Sequence, residues 1–562
     1  MQITNRIHFR NLRGDIFGGV TAAIIALPMA LAFGVASGAG AAAGLWGAVL
    51  VGFFAALFGG TPTLISEPTG PMTVVMTAII ANLTATNPDN GMAMAFTVVM
   101  MAGVIQMILG SLRLGKYITL MPYTVVSGFM SGIGIILIIL QLGPFLGQSS
   151  PKGGVVGTIQ NLPQLLDNIN YGEAGLGILT LLILFLMPSK LKRIVPPQLV
   201  ALVVGTVVAL ILFPEVDAIR RIGEIPTGLP SLQVPSFSPS EFQTMLIDAL
   251  VLGMLGCIDA LLTSVIADSL TRTQHDSDKE LIGQGLGNLV SGLFGGIAGA
   301  GATMGTVVNI QAGGRTAVSG LTRALILLVV VLGAASLTAM IPMAVLAGIA
   351  LKVGINIIDW DFLKRAHKVS WKGSLIMYGV IILTVFVDLI VAVGVGVFVA
   401  NILTIERLSK LQAQDVKTIT DADDQILMSD VEKELLDSAN GRVLLFYLSG
   451  PMIFGVSKAI ARQQVAMEDH DVLIVDLSDV PHLGITSSLA IENAIKEAYE
   501  KGRQVFIVGA TGQTQKRLQS LGVLAMLPPN NVLMDRREAL EQAVALVNPQ
   551  VAEFNTVAPG YL

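Results

Sequence analysis

The chain has 562 residues, of which 53% are hydrophobic and 13% charged, with a mean hydropathy of +0.73 and a net charge of −5. Soluble domains carry roughly 25% charged residues, so a wholly soluble enzyme is excluded, and the negative balance argues against nucleic acid as the main partner. The charge is uneven: residues 407–562 hold 34 charges in 156 positions, whereas residues 1–406 hold only 39, so a long membrane part precedes a soluble one.

At the N-terminus Arg6, Arg10 and Arg13 precede the first apolar run without a clean cleavage site, which reads as an in-facing anchor rather than a secretory signal. Fourteen apolar runs then follow, near residues 16–35, 42–60, 71–86, 92–112, 117–142, 172–188, 197–213, 242–267, 281–298, 302–313, 320–338, 340–357, 373–388 and 389–406. The third and tenth are short, and glycine or proline opens each. Arg113 and Lys116, then Lys190, Lys192 and Arg193, then Arg272 and Lys279, Arg315, and finally Lys364, Arg365 and Lys368 fall after even-numbered runs. The positive-inside rule places those loops, both termini and the soluble part in the cytoplasm. Arg220 and Arg221 dissent, in a loop that also carries Glu215, Asp217 and Glu224.

The halves echo each other. Phe58-Gly59-Gly60 precedes Thr73-Val74-Val75, and Phe294-Gly295-Gly296 precedes Thr306-Val307-Val308. Seven runs per half predict an inverted repeat, about 14–213 and 242–406, within a transport domain of residues 1–406. Residues 407–440, acidic through Asp421, Asp423, Asp424 and Glu432, read as a linker. An α/β domain is expected over 441–548: strands at Val443–Tyr447, Val472–Asp476 and Val505–Val508, helices at Ser487–Tyr499 and Arg536–Leu546, then a tail, 549–562.

An interrupted helix at the membrane midplane leaves backbone N–H groups unpaired, and its dipole places about half a positive charge there. Thr69-Gly70-Pro71 opens the third run, and Gly299-Ala300-Gly301-Ala302-Thr303 the tenth. Two such ends facing each other would hold an anion, with Thr69 and Thr303 adding hydroxyl donors. Asp259 is alone in an otherwise uncharged window, Ala249–Ala267. An ionised aspartate there costs about 2.5–3.5 kcal/mol on insertion scales, so a cation, a proton or a partner has to offset it. Thr263 shares its helix face, and carbonyls of Gly301 and Thr303 nearby would complete a hard-oxygen site for Na⁺ or H⁺. The competing reading is a neutral aspartic acid bonded between helices. Asp388 reads as an N-cap, Glu67 as an in-facing loop acid, and Met100, Met101 and Met107 as packing. Cys257 is the single cysteine and there is no CxxC, so neither an intrachain disulfide nor a structural zinc site is expected. Gly450 and Gly455 have phosphate-loop spacing, but the lysine is Lys458, so no nucleotide motor is read.

Several stretches together resemble the SulP family of anion transporters: Leu27–Phe33, Glu67–Pro71, Gly256–Thr263 and Gly301–Arg315. The resemblance implies fourteen spans in a seven-plus-seven inverted repeat. It also implies a core of spans 1–4 and 8–11 moving against a gate of spans 5–7 and 12–14, elevator fashion, a cytoplasmic STAS domain, and homodimers. It puts the substrate on Thr69, Ala302 and Thr303, with Gly70 opening the half-helix, and Na⁺ on Asp259, Thr263, Gly301 and Thr303. Many members carry arginine where Gly305 stands and glutamine where Met29 stands. No fixed cation is therefore expected beside the anion, and a bound Na⁺ would replace it. The STAS match rests on Val475-Asp476-Leu477-Ser478. Gly484-Ile485-Thr486-Ser487 departs from the usual phosphorylatable serine pattern, which favours a structural or dimerising role.

The function implied is sodium-coupled bicarbonate symport across the inner membrane, for inorganic carbon uptake, with Na⁺ as coupling ion and no organic cofactor. The alternatives are H⁺- or Na⁺-coupled sulfate or dicarboxylate transport on the same fold, an uncoupled anion channel, and a sensor signalling through the soluble domain. No nucleophile–base pair or metal cluster supports an enzyme.

Overall fold

The structure, a computed structural model, describes residues 4–5, 7–118, 122–188, 191, 195–215, 218–223, 229–333, 338–387, 389–421, 426–453 and 470–548. Arg6, Lys190, Lys192, Arg193, Asp217, Glu224, Asp388, Asp423, Asp424, Gly455, Lys458 and the tail 549–562 lie outside them. The chain divides into two compact units, residues 1–400 and 401–562.

Each of the fourteen apolar runs is a helix: α1 Leu12–Ala36, α2 Ala41–Phe58, α3 Gly70–Thr86, α4 Gly91–Ser111, α5 Tyr123–Phe145, α6 Tyr171–Leu186, α7 Pro197–Leu212, α8 Phe242–Thr271, α9 Ser277–Leu293, α10 Thr303–Gln311, α11 Ala317–Gly333, α12 Met343–Ile357, α13 Trp371–Phe386 and α14 Leu389–Ala413. Among the described residues six helices are long and apolar enough to cross a membrane, and five shorter ones are apolar as well. Large side chains stay exposed along α6, α7 and α13, among them Leu182, Phe185, Val207, Ile211, Ile382 and Phe386. Such a surface is a liability in water and the expected one against lipid.

Local chemistry sets the ends. Asn170 caps α6 by accepting from the amides of Gly172 and Glu173, and Asp276 caps α9 by accepting from that of Lys279. Pro71 sits in the first turn of α3, where its missing N–H costs nothing. α10 stops after nine residues at Gly313, whose φ of 108° is open to glycine. Arg220 ion-pairs with Glu173 at 2.8 Å, and Arg221 donates to the Phe213 carbonyl at 2.7 Å, so both dissenting arginines are bonded within their own region.

In packing, α9 lies against α2 and α4, α8 against α4, and α11 against α1 and α2. Separately, α5 packs on α12 and α13, and α6 on α7 and α12. Between α2 and α3, strand β1 (Ser66–Glu67) pairs antiparallel with β2 (Ala300–Gly301), which precedes α10; Ser66 faces Gly301 and Glu67 faces Ala300. The two chain halves thus cross as short extended segments in the middle of a helical unit.

The second unit holds a five-stranded sheet of β3 (Val416–Ile419), β4 (Val443–Ser449), β5 (Val472–Asp479), β6 (Gln504–Val508) and β7 (Val532–Leu533), in that order. β3 is antiparallel to β4, and the remaining neighbours are parallel. Helices α15 (Asp430–Ser438) and α18 (Arg536–Val547) cover one face; α16 (Ile485–Glu500) and α17 (Gly512–Ser520) cover the other. The expected linker over 407–440 is corrected here. Val416 and Ile419 of β3, and Leu435 and Leu436 of α15, are core residues, hidden in the sequence by the acids around them.

Candidate functional site

The crossing of β1 and β2 positions everything that follows. Extended backbone inside a membrane unit lacks helical hydrogen bonds, so side chains and the opposite strand supply them. The Ala302 amide donates to the Ile65 carbonyl at 2.8 Å, and the Ile65 amide donates to Thr306 Oγ1 at 3.0 Å. Asn288 of α9 clamps Gly299, accepting from its amide at 2.8 Å and donating to its carbonyl at 2.9 Å. Asn309 of α10 donates to the Thr63 carbonyl, and Gln284 of α9 to Ser66 Oγ.

From this crossing α3 and α10 start. Thr69 is the N-cap of α3 and its carbonyl accepts from the Thr73 amide at 2.9 Å; Ala302 is the N-cap of α10 and accepts from that of Thr306 at 2.9 Å. The first amides of each helix, including Gly70 and Thr303, have no intrahelical acceptor. The amide of Ala302 is already committed to Ile65, so its share in any anion site is through the helix start it caps.

Helix α8 runs beside both starts. Thr69 Oγ1 donates to the Asp259 carboxylate at 2.7 Å, and both residues are buried, 8% and 7% exposed. One turn on, Thr263 Oγ1 donates to the Gly301 carbonyl at 2.9 Å and lies 2.9 Å from Thr303 Oγ1. Gly301 is required for this approach, because a Cβ there would stand 2.9 Å from Ala260 Cα and 3.2 Å from Thr263 Cβ. Thr303 and Met304 are exposed while Asp259 and Thr69 are not, so the arrangement opens at the start of α10. Gly70 faces α12, its missing Cβ leaving room for Ile357.

The residues singled out from the sequence therefore form two bonded groups, each anchored on α8: Thr69 with Asp259, and Thr263 with Gly301 and Thr303. A carboxylate, three hydroxyls and a carbonyl are hard oxygen donors of the kind that suits an alkali or alkaline-earth cation. Among the described residues no group of three or more His, Cys, Asp and Glu side chains is placed to hold a metal ion.

One expectation needs correction, and one buried charge was missed. Glu67 is not a loop acid: it is buried in β1 and ion-paired with Arg323 of α11. Arg323, which was not singled out from the sequence, is fully buried beside the crossing. The signal was available, since an arginine inside an apolar helix demands a partner as Asp259 does. In the soluble unit, Asp476 is buried and bonded to Arg536 at 2.5 Å. Ser487 is buried as well, whereas Thr486 beside it is exposed.

Residues 12–380 match the sulfate permease family, and residues 437–539 the STAS domain. The bicarbonate transporter BicA of Picosynechococcus sp. is 72% identical over 556 residues, covering 98% of each chain. The solved transmembrane domain of a cyanobacterial bicarbonate transporter BicA covers 70% of this chain and is itself fully covered, at 72% identity and a TM-score of 0.66. The murine Solute Carrier 26 family member A9 anion transporter, at 19% identity, shares the fold over 96% of this chain and 92% of its own, with a TM-score of 0.81. The chain belongs to the sulfate permease family of membrane transporters and ends in a STAS domain.

Proposed function

We propose that the chain is a secondary transporter of bicarbonate coupled to sodium, carrying both into the cell across the plasma membrane. The observation that carries this reading is the meeting of two half-helix starts, at Gly70 and Thr303, beside Asp259 and Thr263 of α8. The near-complete likeness to a bicarbonate transporter supports the choice of anion. In this reading bicarbonate sits between the two helix starts, taking hydrogen bonds from their first amides and from Thr69 and Thr303. Na⁺ sits on the oxygens of Asp259, Thr263, Gly301 and Thr303. Each ion offsets the desolvation of the other, so they bind cooperatively. One Na⁺ with one HCO₃⁻ moves no net charge, and each tenfold of sodium gradient, about 1.4 kcal/mol, drives about tenfold accumulation.

The fourteen helices serve as fourteen crossings with both termini in the cytoplasm. Helices α1–α4 and α8–α11 move as one body against α5–α7 and α12–α14, in an elevator. All the named site residues lie on the first set, and the contacts of Gly70 with Ile357 and of Met304 with Gln198 are where the two sets meet beside it. The protein works as a homodimer, to which the STAS domain contributes contacts. The test is uptake of labelled bicarbonate into proteoliposomes, with and without an inward sodium gradient, at fixed pH. Sodium-driven accumulation above equilibrium is expected; uptake indifferent to sodium would reject the coupling.

A further inference from the structure

Arg323 lies inside the apolar helix α11 with no exposed surface. Its guanidinium donates to the Ala48 carbonyl at 3.1 Å and the Ser66 carbonyl at 2.9 Å, and it ion-pairs with Glu67. Helix α2 makes room for it at Gly52, where a Cβ would stand 2.4 Å from Nη1. Glu67 lies two residues before Thr69. Its Oε1 is 3.5 Å from the position a Cβ would take on Gly305, in the first turn of α10. A carboxylate thus stands beside the helix end that would attract the anion, and a guanidinium answers it from the far side.

We infer that the Glu67–Arg323 pair sets which anion valence the site accepts: Glu67 cancels Arg323, so a monovalent anion needs a co-bound monovalent cation and a divalent anion is refused. This rests on the sodium–bicarbonate reading above. The fixed charges are one negative each on Asp259 and Glu67 and one positive on Arg323. The two helix starts add about half a positive charge each. With Na⁺ and bicarbonate present these balance; without Na⁺, or with sulfate in place of bicarbonate, one negative charge is left over. If Glu67 is neutralised, the balance is met by bicarbonate alone and by Na⁺ with sulfate. A pair that merely staples α11 to β1 would have no such effect on ion dependence.

The experiment uses the full-length protein in liposomes, with labelled bicarbonate and labelled sulfate uptake measured against sodium. In Glu67→Gln, sodium stimulation of bicarbonate uptake is expected to fall by roughly tenfold or more, because a full charge is removed within a few residues of the anion, and sodium-dependent sulfate uptake is expected to appear. The double variant Glu67→Gln/Arg323→Gln, whose pair is again neutral overall, is expected to regain sodium dependence and refuse sulfate. Glu67→Gln leaves a buried arginine unpaired and can fail to fold. Gly305→Lys adds the charge without breaking the pair and is expected to behave as Glu67→Gln does. Single variants that copy a sodium-dependent wild type, or a double variant that loses sodium dependence, overturn the inference alone. A wild type indifferent to sodium overturns the symport reading and this inference with it.

Discussion

Replacing Asp259 with asparagine separates the cation reading from a purely structural one. Asparagine keeps the shape and still offers an oxygen to the Thr69 hydroxyl, now 2.7 Å from the carboxylate. It loses only the charge assistance of that bond, about 1 kcal/mol. Against this, removing a carboxylate from mid-helix relieves an insertion cost of about 2.5–3.5 kcal/mol, so thermal stability is expected to be unchanged or raised. Cation binding is another matter. Opposite unit charges about 4 Å apart attract by ~4 kcal/mol at an effective dielectric constant of ~20. If desolvation of the ion cancels half of that, ~2 kcal/mol is lost, about a thirtyfold weakening of sodium. The assay is the sodium half-saturation of bicarbonate uptake in proteoliposomes, run beside a melting curve of the same preparation. A half-saturation within about threefold of wild type, in a variant that melts normally, would refute a cation on Asp259.

Three further outcomes follow from the geometry. Thr263→Val should leave the Gly301 carbonyl, now bonded at 2.9 Å, without its donor, at about 1–3 kcal/mol; sodium half-saturation should rise in uptake assays, and Thr263→Ser should restore it. Gly301→Val should force α8 away from β2, because even a Cβ there meets Ala260 Cα at 2.9 Å; a cost of about 1–3 kcal/mol should appear as a lower melting temperature together with loss of transport. In the soluble unit, burial and a hydrogen bond to Asp479 push the Tyr447 hydroxyl up to about 12. Its stabilising share is therefore complete below the ordinary tyrosine value of about 10 and is lost as pH rises through the folded value. Subtracting the ultraviolet pH titration of Tyr447→Phe from that of wild type should give a phenolate transition near 12, and a difference titrating near 10 would refute the assignment.

The helices of the membrane unit were legible because composition alone dictates them: apolar runs of spanning length leave the backbone no other way to satisfy its hydrogen bonds in lipid. The starts of α3 and α10 were legible as well, since Pro71 and the glycines at 299 and 301 mark interruptions whatever surrounds them. What joins those starts was not. Thr69 and Asp259 are 190 residues apart and bond only because the halves cross. Pattern reading suggested a shared site, whereas the antiparallel register of Ser66 with Gly301 fixes it. Arg323 was overlooked because one charge barely lowers the hydropathy of its run. Glu67 was misread because a residue before proline suggests a loop, while this one sits in a buried strand. The acids of 407–440 suggested a linker because composition averages over β3 and α15, in which only Val416, Ile419, Leu435 and Leu436 point inward.

The polar side chains around the crossing divide into two kinds, and the division bears on function. Asn288, Asn309, Gln284 and Thr306 each bond to backbone or side-chain groups of the segments at 63–66 or 299, standing in for the neighbours a helix would supply. Without them extended chain could not lie there. Asp259 makes no such repair: its described partner is a hydroxyl, Thr69 Oγ1, which could equally bond within its own turn. Thr263 does one task of each kind, bonding the Gly301 carbonyl and also meeting Thr303 Oγ1. A carboxylate that the fold does not need for its own backbone, kept in a membrane at a cost of a few kcal/mol, is best explained by something that visits it. The same reasoning reaches Glu67 and Arg323 by a different route. Arg323 does bond two carbonyls, but neutral side chains perform that task elsewhere around the crossing. A full positive charge there hands the electrostatic level of the site to Glu67, the residue whose charge cancels it.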